Sequence, residues 1–180
     1  YLGLGFTHIL PKGTDHILFV LGIFLLSTRL KPVLLQVSAF TVAHTITLAL
    51  TMDGVVSIPR SVVEPLIALS IVYVAIENLA RTDLTPWRVA LVFAFGLLHG
   101  MGFAGVLAEL GLPRSEFVPA LLSFNVGVEA GQLTVIGIAL ALFGLLFRRK
   151  AWYRSRIVVP ASIAIAAIGF YWSVERVLLR

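Results

Sequence analysis

The chain has 180 residues, of which 59% are hydrophobic and only 13% charged, with a formal net charge of +5. Soluble domains carry about 25% charged and about 45–50% apolar residues, so this composition excludes a soluble domain, a disordered chain and a coiled coil. With no cysteine present, disulfides, thiolate metal sites and cysteine nucleophiles are excluded as well.

A membrane span needs roughly 20 mostly apolar residues. In chain order, the leading segment Tyr1–Gly13 is too short to cross; with three glycines it reads as a partial helix or re-entrant piece at the outer surface. Pro11-Lys12-Gly13 then turns the chain into span 1, Thr14–Thr28. Span 2 covers Pro32–Met52, span 3 Ser61–Ala80 and span 4 Trp87–Leu110; span 5 is Phe117–Phe147 and span 6 Ile157–Leu178. The pieces between them, such as Asp53-Gly54, Thr82–Pro86 and Gly111–Arg114, hold the Gly, Pro and Asp that end helices. The expected fold is all-α: a polytopic membrane helix bundle of about six transmembrane helices, with 1–180 forming one integral membrane domain.

Nine of the fourteen basic residues follow spans 1, 3 and 5: Arg29, Lys31, Arg81, Arg88, Arg148, Arg149, Lys150, Arg154 and Arg156. Lys12, Arg60, Arg114, Arg176 and Arg180 fall on the other side. The positive-inside rule then puts both termini on the extracytoplasmic side. Basic residues scattered at segment ends make no phosphate-binding face, so membrane lipids are expected as partners and nucleic acid is not. Trp87, Trp152, Tyr153, Tyr171 and Trp172 read as interface anchors.

An Asp at the centre of a span costs about 2.5–3.5 kcal/mol, so ionisable groups there need a reason. All four histidines lie in or beside spans, in the outer half under the proposed orientation. His8, Asp15 and His16 stand at the outer entrance of span 1, His44 in span 2 and His99 in span 4. Glu64 lies at the outer end of span 3, with Asn125 and Glu129 in the outer half of span 5. Imidazole and carboxylate in one dry layer suit a divalent transition metal such as Ni, Co or Zn. His8 and His16 would close one part of a site, His44 and His99 another.

Structural roles compete with these. Asp15 also suits a helix start with Thr14 as N-cap. His44 beside Thr41, Thr45 and Thr47 also reads as a hydrogen-bonded packing residue, and His99 lies among Gly96, Gly100 and Gly102, which admit a close backbone. Asn125, Glu129 and Gln132 form an i, i+4, i+7 stripe that must face into the bundle. Gly127-x3-Gly131 reads as a helix contact, and Glu77-Asn78 as an interfacial cap beside Arg81 in preference to an inner gate. Phe40-x3-His44 is echoed 55 residues later by Phe95-x3-His99, through a parallel repeat or by chance.

The stretch from His8 through Pro11, Gly13, Asp15 and His16 to Gly22 resembles the HupE/UreJ family of hydrogenase- and urease-associated membrane proteins. So do Phe40–Thr47, Val63–Ser70, Tyr73–Asn78, Phe95–Phe103 and Phe124–Gln132. Four residues separate His8 from Gly13, one more than in members beside hydrogenase or urease genes, so the chain looks like the second, less characterised branch. The resemblance implies nickel or cobalt uptake in a bacterial inner membrane. It marks His8, Asp15 and His16 as metal-site positions, with His44, His99 and Glu129 as further candidates; Glu64, Asn125 and Gln132 read as polar support.

A permease needs several weak sites along a path, yet the inner half offers only Gln36, Ser38, Ser70, Glu77 and Asn78. The rival reading is an intramembrane zinc hydrolase acting on a lipid or peptide, with Asp15, Glu64 or Glu129 as general base. A third is a non-catalytic assembly subunit. A homo-oligomer or a partner membrane subunit is compatible with each. Metal handling is the favoured reading.

Overall fold

The structure is a computed structural model that describes residues 1–27, 29–108 and 116–178, with side chains outside 103–108. The expected turn at Gly111–Arg114 and the charges of Arg114 and Arg180 lie outside the described residues. In chain order the helices are α1 (Leu2–Ile9), α2 (Thr14–Leu26), α3 (Leu30–Met52), α4 (Arg60–Ala80), α5 (Arg88–Ala108) and α6 (Phe117–Ala139). A π-helical turn at Leu140–Gly144 carries α6 into α7 (Leu145–Phe147), and a second at Arg154–Val158 leads into α8 (Val159–Leu178). All regular structure among the described residues is helical.

Among the described residues, four runs are long and apolar enough to cross a membrane: α3, α4, Phe117–Phe147 and Arg154–Leu178. The pair α1 and α2, bent by 71°, makes a fifth if it is one broken span. The difference from six lies in α5, whose described apolar part, Arg88–Gly102, is shorter than the others. The protein is an integral membrane helix bundle.

The N-terminal segment forms the expected partial helix: α1 packs lengthwise on α6, with Gly5 and Ile9 buried, and its bend into α2 fits a broken span or a re-entrant loop. Gly5 meets the backbone of Phe124, Gly127 that of Leu2 and Phe6, and Gly131 the side chain of Ile9. The numbers rise together, so α1 and α6 run in the same direction. Without a hydrophobic drive inside lipid, such packing relies on small residues that let backbones touch. A Cβ at Gly127 would strike the Leu2 carbonyl. Gly127→Ala is therefore expected to destabilise by about 1–3 kcal/mol, read as thermal unfolding in detergent. Gly3→Ala, with open space around it, is expected to stay within about 0.5 kcal/mol of the parent.

The same device joins α3 to α5. Gly96 lies on the Phe40 backbone and Gly100 on that of His44, so the two echoing Phe-x3-His motifs run side by side in parallel. Phe19, Phe24, Phe40 and Phe124 fill the interior between these helices. On the far side α8 packs along α4, with Gly169 against Ala68 and Val72.

Candidate metal centre

Four helices each contribute one histidine to a single cluster: His8 from α1, His16 from α2, His44 from α3 and His99 from α5. The His16 ring centroid lies 4.8 Å from His8, 4.9 Å from His99 and 6.0 Å from His44. His8, His16 and His44 each offer a ring nitrogen, all within 4.8 Å of one another. The two parts of a site expected from the sequence, His8 with His16 and His44 with His99, come together in one cluster. In an unbroken helix His8 and His16 would stand about 12 Å apart along the axis. The break at Leu10–Gly13, where Gly13 nests against the His8 backbone, folds the second imidazole back onto the first.

Each deep imidazole is oriented from behind. His99 Nδ1 donates to the Phe95 carbonyl at 2.8 Å, and His44 Nδ1 lies 3.1 Å from Asn125 Oδ1. The Asn125 amide is itself fixed, because its Nδ2 donates to the Leu121 carbonyl at 2.8 Å. His16 Nδ1 lies 3.3 Å from Asp15 Oδ1, which also accepts the His16 backbone N–H at 3.0 Å. Each partner is an oxygen acceptor, so Nδ1 holds the proton and Nε2 keeps its lone pair. The Nε2 atoms of His16, His44 and His99 are buried with no hydrogen-bond partner among the described residues. An orphaned buried acceptor costs about 1–3 kcal/mol, and the ring nitrogens close enough together to share a metal ion are those of His8, His16 and His44. Histidine ligands held by an oxygen on the remote nitrogen are the usual arrangement at metal sites.

One structural role is corrected here. Thr14 is the first residue of α2 and not its N-cap; Gly13 takes that position without a side-chain bond, because the chain turns tightly over His8. The hydroxyls of Thr45 and Thr47 bond to carbonyls of their own helix, which leaves His44 to Asn125.

A cavity of about 210 Å³ opens on the cluster, lined chiefly by His8, Asp15, His16, Glu64, His99 and Arg176. Glu64 thus reaches the site mouth. The sequence marks Arg176 only as a boundary charge. Its Nη1 donates to the Glu64 carbonyl at 3.0 Å and its Nη2 stands 3.9 Å from Asp15 Oδ2. The sequence signal for it was slight: Trp172 sits one turn earlier, and the guanidinium lies 5.6 Å from that ring.

Glu129 and Gln132 sit apart from the histidines. Ser38 donates to Glu129 Oε1 at 2.8 Å and the Thr41 hydroxyl bonds its other oxygen, while Thr41 also lies 3.0 Å from Gln132 Oε1. This polar layer is one turn along α3 from His44.

Further along α3 a third layer joins Gln36 and Glu77, two of the few polar groups expected in the inner half, to Arg88. Arg88 donates through Nε to Gln36 Oε1 at 2.9 Å and pairs through Nη1 with Glu77. Arg88 is 1% exposed and Glu77 6%. Glu77 pairs with Arg88 of α5 and not with Arg81 beside it, so the expected cap gives way to a buried ion pair. Asn78 Nδ2 donates to the Gly22 carbonyl at 2.8 Å and ties α4 to α2. Tyr153 is likewise buried, and that burial pushes its phenol up.

A family model described as HupE / UreJ protein matches residues 1–176. Searches of curated proteins and of solved structures find no match. A match over nearly the whole chain, including every helix that carries a histidine, places this protein in the HupE/UreJ family.

Proposed function

We propose that the protein binds a divalent transition metal, nickel or cobalt by family, at the histidine cluster and passes it across the membrane. The observation that carries this reading is the set of three buried, unpartnered Nε2 atoms on His16, His44 and His99. Neutral imidazole suits Ni, Co and Zn alike, and the chain has no thiolate to divert the choice toward softer ions.

His8 joins this set through its ring nitrogen, and Asp15 and Asn125 hold His16 and His44 in the tautomers that bind. Glu64 and Arg176 set the charge at the mouth. The Ser38, Thr41, Glu129 and Gln132 layer supplies oxygen ligands for a weaker second station, as a path with several sites requires. The reading includes both termini outside the cytoplasm, supported by the nine basic residues that follow spans 1, 3 and 5.

The hydrolase reading uses the same histidines with a carboxylate as base. Asp15 is committed to His16 and Arg176, and Glu129 to two hydroxyls, which weakens both for that role.

Proteoliposomes loaded with a metal-sensing dye separate the readings. Ni or Co influx is expected, abolished by His16→Ala. Glu129→Gln is expected to slow it about 10-fold while metal binding at the cluster persists. Tight Zn binding with no flux of any metal would overturn the transport reading.

A further inference from the structure

An apolar groove of about 410 Å³ runs between α2, the end of α6 and α8. Leu18, Leu21 and Leu25 form one wall, Phe143 another, and Ala161 and Ala164 open the third. Among the described residues its one charged lining residue is Arg156, at the start of the α8 arm. From Arg156 to Ile168, also a lining residue, the helix rises about 18 Å, close to one leaflet of a hydrocarbon core about 30 Å thick.

Two features put Arg156 at headgroup depth. Its guanidinium lies 5.8 Å from the Trp152 ring, an interfacial residue type. The basic run Arg148, Arg149, Lys150 and Arg154 precedes it. The groove is too small for a helix: a helix is about 10–12 Å across with its side chains, whereas this volume suits a single extended chain.

From this shape and charge we infer that the groove seats one acyl chain of an anionic phospholipid, with the phosphate on Arg156. The small Ala161 and Ala164 side chains leave the channel, and the cationic mouth selects the headgroup; basic pockets between spanning helices hold anionic lipid in this way. The site is separate from the histidine cluster and holds whether or not metal is transported.

The test uses the full chain in detergent, exposed to phosphatidylglycerol or phosphatidylcholine vesicles and read by native mass spectrometry and thermal midpoint. The parent protein is expected to retain one phosphatidylglycerol at least 10-fold more than phosphatidylcholine, with a raised midpoint. Arg156→Gln, at an exposed position, should remove the preference and keep the fold. Ala161→Trp should expel both lipids; if it fails to fold, Ala164→Leu serves as the milder block. Equal retention of the two lipids by the parent would overturn the inference. So would an unchanged preference in Arg156→Gln, or a dimer that Ala161→Trp dissociates, since the groove would then hold a second copy.

Discussion

Replacing His16 with alanine is expected to lower Ni or Co affinity by more than about 100-fold, measured by competition with a chromophoric chelator in detergent. His16 is the hub of the cluster: its ring is the neighbour of His8, His44 and His99. Its loss removes one nitrogen and leaves the other orphaned Nε2 atoms facing a void. The residues behind the ligands should show a graded effect. Loss of an outer partner costs about 10–100-fold in metal affinity, so Asp15→Asn and Asn125→Ala belong in that range. Asp15→Asn keeps an oxygen acceptor for His16 but removes the charge, so it should cost less than Asp15→Ala. A variant that unfolds would lose all four histidines together; graded losses therefore report on the site itself.

The second large effect concerns stability. Arg88→Ala or Glu77→Ala is expected to destabilise by about 3–5 kcal/mol, because each leaves its partner as an uncompensated buried charge. Both groups are almost fully enclosed, so solvent cannot screen the remaining one. The paired replacement Arg88→Met with Glu77→Leu should recover most of the loss, since an apolar pair of similar volume is often neutral or stabilising. Gln36 Oε1, which accepts from Arg88, then loses its donor and sets the residual deficit. Denaturant titration of the two single variants and the pair gives the coupling directly. Additive losses would mean that Arg88 and Glu77 act independently.

Much of this fold was legible from apolar run length and turn residues. Span 3, expected from Ser61, begins as α4 at Arg60; span 5 ends at Phe147 as expected, because lipid demands continuous helix wherever the backbone is exposed to it. The glycines of α5 and α6 also announced close contacts before any partner was known. What sequence could not supply was which helix each polar side chain faces. Glu77 has Arg81 as its chain neighbour, whereas its partner Arg88 sits on the next helix at the same depth. Glu129 shares a helical stripe with Asn125, yet one turn of separation sends Asn125 to His44 and Glu129 to Ser38 and Thr41. The Pro11–Gly13 turn is legible as the piece that closes His8 toward His16, whereas only the structure shows their rings edge to face, 4.8 Å apart.

The most direct measurement is X-ray absorption at the nickel edge of purified, nickel-loaded protein, compared with His44→Ala. Binding by the inward Nε2 atoms predicts a nitrogen shell with imidazole multiple scattering from three or four rings, reduced by one ring in the variant. A shell of oxygen alone, or a spectrum unchanged by His44→Ala, would contradict a metal centre at the histidine cluster.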